Sequence, residues 1–157
     1  MKQSAKTFWL GFDLGGTKMM AAVFNRDFKV VASVRAMTKG VEGVKEVLAR
    51  IQVTIAEALK EAGLDASRLG GIGVGCPGPL DLDRGVVLDA PNLSWHNVPL
   101  KAALEKKFKR PAVIANDVDA GTFGEYRFGA GRGARCVLGV FPGTGIGGAC
   151  IYEGRII

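Results

Sequence analysis

The sequence predicts an α/β fold, a mixed sheet with covering helices, on three observations. Strand-like apolar runs crowd the stretch from Thr7 to Val34, a long segment of helical period follows, and short apolar runs bounded by Gly and Pro then alternate with helical segments.

The first strand spans Thr7 to Asp13 and the second Lys18 to Phe24, joined at Leu14-Gly15-Gly16-Thr17. Asn25-Arg26-Asp27 separates the second from Phe28 to Val34, so the three form an antiparallel meander. Val44, Leu48, Ile51, Ile55, Leu59 and Ala62 recur at three or four residues and predict a helix. At roughly 1.5 Å per residue it is about 30 Å long, and Gly63 is its natural left-handed cap. Gly71 to Gly75 is a short buried strand that Cys76-Pro77-Gly78-Pro79 stops, and Leu80 to Ala90 folds as a small hairpin across Asp83-Arg84-Gly85. Asn97 is expected to cap a helix starting near Pro99, with Leu100, Leu104 and Phe108 on one stripe and Pro111 beyond its end. Ala112 to Ala115 resumes a strand, which puts Asn116-Asp117 at a carboxyl end, where open α/β folds place ligands. A helix from Asp119 to Tyr126, a flexible Gly129–Gly133 segment, and strands at Cys136–Phe141 and Ala149–Tyr152 complete the chain. The expected division is a first lobe over residues 1–130 and the start of a second, incomplete lobe over 131–157. Two strands alone bury their apolar faces poorly and leave an open edge.

An apolar fraction of 48% over 157 residues fills a real core. The net charge of +6 favours anionic partners without distinguishing among them. Its densest basic run, Lys106-Lys107-Phe108-Lys109-Arg110, falls at a helix end, where cations complement the helix dipole. No aromatic-basic repeat or zinc-finger spacing supports nucleic-acid binding. Cys76, Cys136 and Cys150 make no C-x-x-C pair, which argues against a disulfide scaffold or a zinc site in this segment and for a reducing cytoplasm. No secretory leader or membrane-spanning apolar stretch is expected.

Two glycine-threonine loops carry the chemistry. In the first, Gly15 and Gly16 can present backbone N–H groups, Thr17 a hydroxyl and Lys18 a positive charge to phosphate, while Asp13 can hold magnesium through water. The competing reading is a tight turn with a structural aspartate and Lys18 in solvent. The loop is not a P-loop, because Thr17-Lys18 reverses the required order and a strand follows. In the second, Gly143, Gly145 and Gly148 spell G-x-G-x-x-G, but a strand and not a helix follows, so Thr144 and its neighbours cradle phosphate or merely turn a hairpin. Between the loops, Asp117 can take a proton from an attacking hydroxyl, and Asn116 can bind neighbouring hydroxyls; an Asx turn or helix start explains the pair equally well. Asp119 is a competing acid inside the next helix. Asn92, Trp95 and His96 lie in a predicted loop, with Asn92 suited to a hydroxyl-rich ligand and Trp95 to core packing or a sugar face. His96 has no neighbouring ligands in the sequence.

Taken in order, GFDLGGTK (Gly11–Lys18), GVGCPGPLD (Gly73–Asp81), APNLSW (Ala90–Trp95), NDVDA (Asn116–Ala120) and GTGIGG (Gly143–Gly148) resemble the N-terminal part of the ROK family of bacterial sugar kinases and sugar-responsive repressors, its glucokinase-like members especially. The resemblance implies an actin-like ATPase, ribonuclease-H-like architecture and ATP- and Mg2+-dependent phosphorylation of a hexose, glucose foremost. It implies Asp117 as base, Gly78, Asn92 and Asn116 at the sugar, and Gly15, Gly16, Thr17, Lys18, Thr144 and Gly145 at the nucleotide phosphates. Asp119 departs from the family's usual asparagine. The later Gly-Glu-x-Gly-His region and cysteine-rich zinc segment are not in these residues, so the expected partners are a missing C-terminal lobe or another chain, with homo-oligomerisation a further option. With the first strand at Thr7, no winged DNA-binding domain is expected ahead of the fold.

Overall fold

A computed structural model describes residues 7–142 and 146–157. Along β1 (Phe8–Leu14), Leu10, Phe12 and Leu14 are buried while Trp9 and Asp13 point to the other, open face. That period of two gives the sheet two unlike sides. β2 (Lys18–Phe24) and β3 (Val30–Met37) continue antiparallel from it, in the order expected for a meander, although β3 starts later than its sequence pattern suggests. Asn25 accounts for the shift: its Oδ1 accepts the N–H groups of Asp27 and Lys29, extending the turn.

Helix α1 (Val44–Glu61) lays Val47, Ile51, Ile55 and Ala58 on the closed face of the sheet. It ends as predicted. Gly63 adopts φ +65°, its N–H bonds the Lys60 carbonyl and the Leu64 N–H reaches back to Leu59, a Schellman closure. β4 (Leu69–Cys76) then runs parallel to β1, with Ile72, Val74 and Cys76 turned toward α1.

A small antiparallel sheet follows, of β5 (Leu80–Asp81), β6 (Val86–Ala90) and β7 (Trp95–Val98). The third strand corrects the expectation of a loop at Trp95 and His96; only Asn92 lies outside a strand, in a 3-10 turn over Pro91–Leu93. Trp95 is fully buried in the core, and His96 projects outward with Nδ1 3.0 Å from the Asp89 carboxylate across the ladder.

Helix α2 (Leu100–Phe108) is capped by Pro99 and not by Asn97, which sits in β7 with φ +50°. The side-chain cap is dispensable because the Gly85 carbonyl accepts the Lys101 N–H at 3.1 Å, supplying the helix start from the neighbouring hairpin. β8 (Ala112–Asn116) pairs parallel with β4 and completes the five-stranded order β3-β2-β1-β4-β8. Helix α3 (Asp117–Phe128) begins two residues before its predicted start and packs on the open face. The Gly129–Gly133 segment is tied back to α3, the Gly131 N–H to the Glu125 carbonyl and the Ala130 N–H to the Glu125 carboxylate, so it is a built turn where a flexible linker was expected.

The last sheet is β9 (Cys136–Pro142), β10 (Ile146–Tyr152) and β11 (Arg155–Ile156), ordered β11-β10-β9. Its inner face meets α3 closely: a side chain at Gly139 would collide with Thr122, and one at Gly147 with Val118. Its outer face is bare, with Leu138 74%, Val140 69% and Ile146 83% exposed.

Leu104 is fully buried on α2 and Val53 is 55% exposed on α1. Leu104→Ala is expected to cost about 2–5 kcal/mol in urea unfolding, and Val53→Ala within about 0.5 kcal/mol of zero. Similar losses for both would contradict the assigned core.

Candidate functional site

The parallel strands β1, β4 and β8 bring Asp13, Cys76 and Asn116 to one edge of the sheet. Beyond that edge, on the open face, lies a cleft of about 760 Å³ lined by Asp13, Met20, Gly75, Asp117, Val118 and Phe141, among others. Two carboxylates from separate strand ends thus share one cavity. Asp13 is held above the ordinary carboxylate range, first by loss of hydration and then by the charge of Asp117. A cation between or beside them relieves that repulsion, so the donor set suits a hydrated magnesium ion that keeps most of its waters. Among the described residues no group of three His, Cys, Asp or Glu forms a closed metal cage.

Asn116 is both the last residue of β8 and the N-cap of α3. Its Oδ1 accepts the N–H of Val118 at 3.0 Å and of Asp119 at 3.4 Å. What it can still offer a ligand is its NH2 group. One oxygen of Asp117 also accepts the Val118 N–H, at 3.0 Å, which fixes the carboxylate at the helix start. Asp117 and Asp119 both fall in the first turn of α3, where acids complement the helix dipole. The Asx turn expected as the bland alternative is therefore present, and it is the device that aims Asp117.

The first loop closes as a tight hairpin, the Gly15 N–H bonding the Lys18 carbonyl at 3.0 Å. Its remaining carbonyls are taken by a residue the sequence reading passed over. Thr38 is fully buried; its hydroxyl donates to the Gly15 carbonyl at 2.7 Å and its N–H to the Thr17 carbonyl at 2.8 Å. The guanidinium of Arg50, paired with Glu42, donates in turn to the Thr38 carbonyl. With both carbonyls engaged on that side, the Gly16 and Thr17 N–H groups have no protein acceptor among the described residues. Two adjacent unpaired amides form an anion-binding concavity. Lys18 lies on the same face of β2 as Met20, and so on the cleft side of the sheet, with its side chain exposed. No sequence period marks Thr38; it stands as one polar residue after an alternating strand.

Asn92 is brought against this loop. A side chain at Gly16 would lie 2.8 Å from the Asn92 Cβ, and one at the buried Gly40 would lie 2.4 Å from the Asn92 carbonyl oxygen. Gly78 takes φ +95° and a side chain there would overlap the Asp89 carbonyl at 1.9 Å, so the Cys76–Pro79 bend closes on β6 only with glycine. Gly143, Thr144 and Gly145 lie outside the described residues, between Pro142 and Ile146. The structure therefore assembles Asp13, the Gly15–Lys18 hairpin, Asn92, Asn116 and Asp117 from stretches distant in sequence. Cys76 beneath them is no nucleophile: burial, with the charge of Asp117 adding to it, pushes its thiol up to about 12.

The sequence profile of the ROK family matches residues 9–157. The chain belongs to the ROK family. It is 36% identical to the glucokinase of Thermotoga maritima over 149 residues, which is 94% of this chain and 45% of that protein. It is 31% identical to the xylose repressor of Caldicellulosiruptor bescii over 147 residues, 94% of this chain and 37% of the repressor. Among solved structures, a ROK family glucokinase from Streptomyces griseus in complex with glucose and AMPPNP superposes with a TM-score of 0.84 at 33% identity, covering 96% of this chain and 46% of that one. The architecture is thus that of the actin-like ATPase fold of ROK sugar kinases. This ROK chain spans about half the length of the curated relatives it matches.

Two expectations follow from the site's construction. Thr38→Val leaves the Gly15 carbonyl without its donor and should cost about 1–3 kcal/mol, while Thr38→Ser retains most of the stability; faster exchange of the Gly16 and Thr17 amides in the valine variant alone would locate the effect in the loop. Asp13 holds its proton more tightly folded than unfolded, so its ionisation costs stability as pH rises above the ordinary carboxylate value of 3.8. Asp13→Asn should raise the melting temperature at neutral pH and change it little near pH 3, and an equal shift at both pH values would contradict the cost of ionising Asp13 in the folded chain.

Proposed function

We propose that this chain is the N-terminal part of an ATP-dependent hexokinase-type sugar kinase, with glucose the leading substrate. The observation that carries this reading is the convergence of Asp13 and Asp117 on one cleft at the carboxyl ends of parallel strands, with the Gly15–Lys18 hairpin following at the end of the strand that carries Asp13. Support for the class comes from the kinases among its relatives, one of them solved with glucose and an ATP analogue.

In this reading Asp117 is the base. One of its oxygens is fixed by the Val118 N–H, leaving the other to accept the proton of the sugar hydroxyl as that oxygen attacks the terminal phosphorus. The NH2 group of Asn116 and the side chain of Asn92 orient neighbouring hydroxyls, and the Gly78 bend forms part of the pocket wall. The Gly16 and Thr17 amides, with Gly15 and Lys18, receive phosphate oxygens, a role the family resemblance extends to Thr144 and Gly145. Asp13 would hold magnesium through water, and the ion would supply charge neutralisation on the phosphates. Residues 1–130 constitute the N-terminal actin-like sugar-kinase lobe and 131–157 the start of an incomplete C-terminal lobe, in a cytoplasmic enzyme.

Phosphoryl transfer of this kind is mostly positioning, and a small misplacement costs about a hundredfold in rate. With glucose and γ-labelled ATP, the 157-residue chain alone is expected to turn over at no more than about a hundredth of the rate reached with the complementing half supplied. In that complemented enzyme, Asp117→Asn should lower the rate about 10²–10⁴-fold while sugar affinity stays within a few-fold. An unchanged rate would remove Asp117 from the mechanism. The similarity to a xylose repressor favours a second reading, a non-catalytic sugar-sensing or protein-interaction module; sugar binding without any phosphorylation in the complemented protein would select it.

A further inference from the structure

Cys136 and Cys150 lie on the outer face of the β9–β10 ribbon, away from the cleft. In the ladder Cys136 stands opposite Tyr152 and Cys150 opposite Leu138, so the two cysteines are diagonal neighbours on one face. Their sulfurs are 4.0 Å apart. Cys136 is exposed and Cys150 partly so, whereas Cys76 is buried in β4. The Cys150 thiol is held above its ordinary range by loss of hydration and by Cys136 beside it. β9 has no strand on its far edge among the described residues, so it can shift without breaking a second ladder.

We propose that Cys136 and Cys150 form a reversible disulfide site, closed by exchange with a small-molecule disulfide of the glutathione type. The exposed Cys136 thiolate attacks one sulfur of oxidised glutathione, forming a mixed disulfide and releasing one glutathione thiolate, which takes up a proton. The Cys150 thiolate then attacks the Cys136 sulfur and expels the second glutathione. Two protein thiols are oxidised, one glutathione disulfide is reduced to two thiols, and the atoms balance. Closure brings the sulfurs from 4.0 Å to about 2.05 Å. The bond encloses residues 137–149 and restricts that stretch in the unfolded chain.

The test is to incubate the 157-residue chain with oxidised glutathione, quench in acid, alkylate under denaturing conditions and map the peptides by mass. The expected result is one alkylated cysteine, Cys76, in place of three, with a Cys136–Cys150 linked peptide that dithiothreitol dissolves. Cys150→Ser, folded by circular dichroism, should stop at the first step and retain one glutathione on Cys136. Three alkylatable cysteines after oxidation, glutathione retained on both Cys136 and Cys150 in the unsubstituted chain, or linkage only between chains would each overturn the proposal. None of these readouts depends on kinase activity, so failure here is distinguishable from failure of the functional reading.

Discussion

The parallel run of β1, β4 and β8 is the constraint on which the site depends. Because all three strands point the same way, Asp13, Cys76 and Asn116 end at one edge, and the two carboxylates meet although more than a hundred residues separate them in sequence. Parallel neighbours require crossovers, which α1 and α2 supply on the closed face. The middle strand makes this possible by being two-sided. Ile72, Val74 and Cys76 anchor it in the core, while Gly71, Gly73 and Gly75 present little but backbone to the open face and leave room for the cleft. A side chain at Gly75 would already touch Ala120 and the backbone of Asp117.

Much of this was legible in the sequence, because its strongest signals are periodic or conformational. The six apolar positions of α1 and the glycine after it left little choice, and the Schellman bonds at Gly63 and Leu64 are what that pattern encodes. Pro111 and the apolar run after it likewise set the start of β8. The failures fall where the deciding partner is remote. Asn97 has the chemistry of a cap, yet the Gly85 carbonyl, reached through a hairpin, does that work and leaves Asn97 in a strand. β7 is short, and its pairing with β6 is not visible as alternation. Thr38 was invisible for the same reason: its role lies in two carbonyls more than twenty residues upstream.

The site is supported asymmetrically. On the proposed sugar side, the Oδ1 of Asn116 is engaged in capping α3, Gly78 is locked against β6, and Asn92 is wedged between Gly16 and Gly40. Gly78 and Asn92 are held by backbone contacts that leave no room for an added side chain at Gly78, Gly16 or Gly40, so preorganisation there comes from steric closure, whereas Asn116 is held by the amides it caps. On the proposed phosphate side, the Gly15–Lys18 hairpin is held through hydrogen bonds, from Glu42 through Arg50 to Thr38 and then to the loop carbonyls. Hydrogen bonds of this kind set direction: engaging the carbonyls determines which way the amides face, and the facing amides are what an anion meets.

The apolar surfaces carry the argument from site to partner. The outer face of β9 and β10 exposes Leu138, Val140 and Ile146 together, and the sheet's open face exposes Trp9 and Val113 beside a groove of about 630 Å³. Contiguous exposure of this sort is uncommon on a soluble monomer. Burying it returns roughly 25 cal/mol per Å², and the groove on the open face shares Gly11, Phe24, Gly73 and Val113 with the cleft that contains Asp13 and Asp117, so a layer laid on that face would also narrow access to the cleft. Closure of the cleft and burial of the open face are therefore energetically coupled. A chain with these surfaces bare presents its carboxylates to water, where an attacking hydroxyl competes with bulk solvent. With the open face covered, charge interactions inside the cleft strengthen, and in the proposed reaction water is kept from the phosphate. In that proposal, the hydrophobic energy of covering the open face is the source from which productive positioning would be drawn.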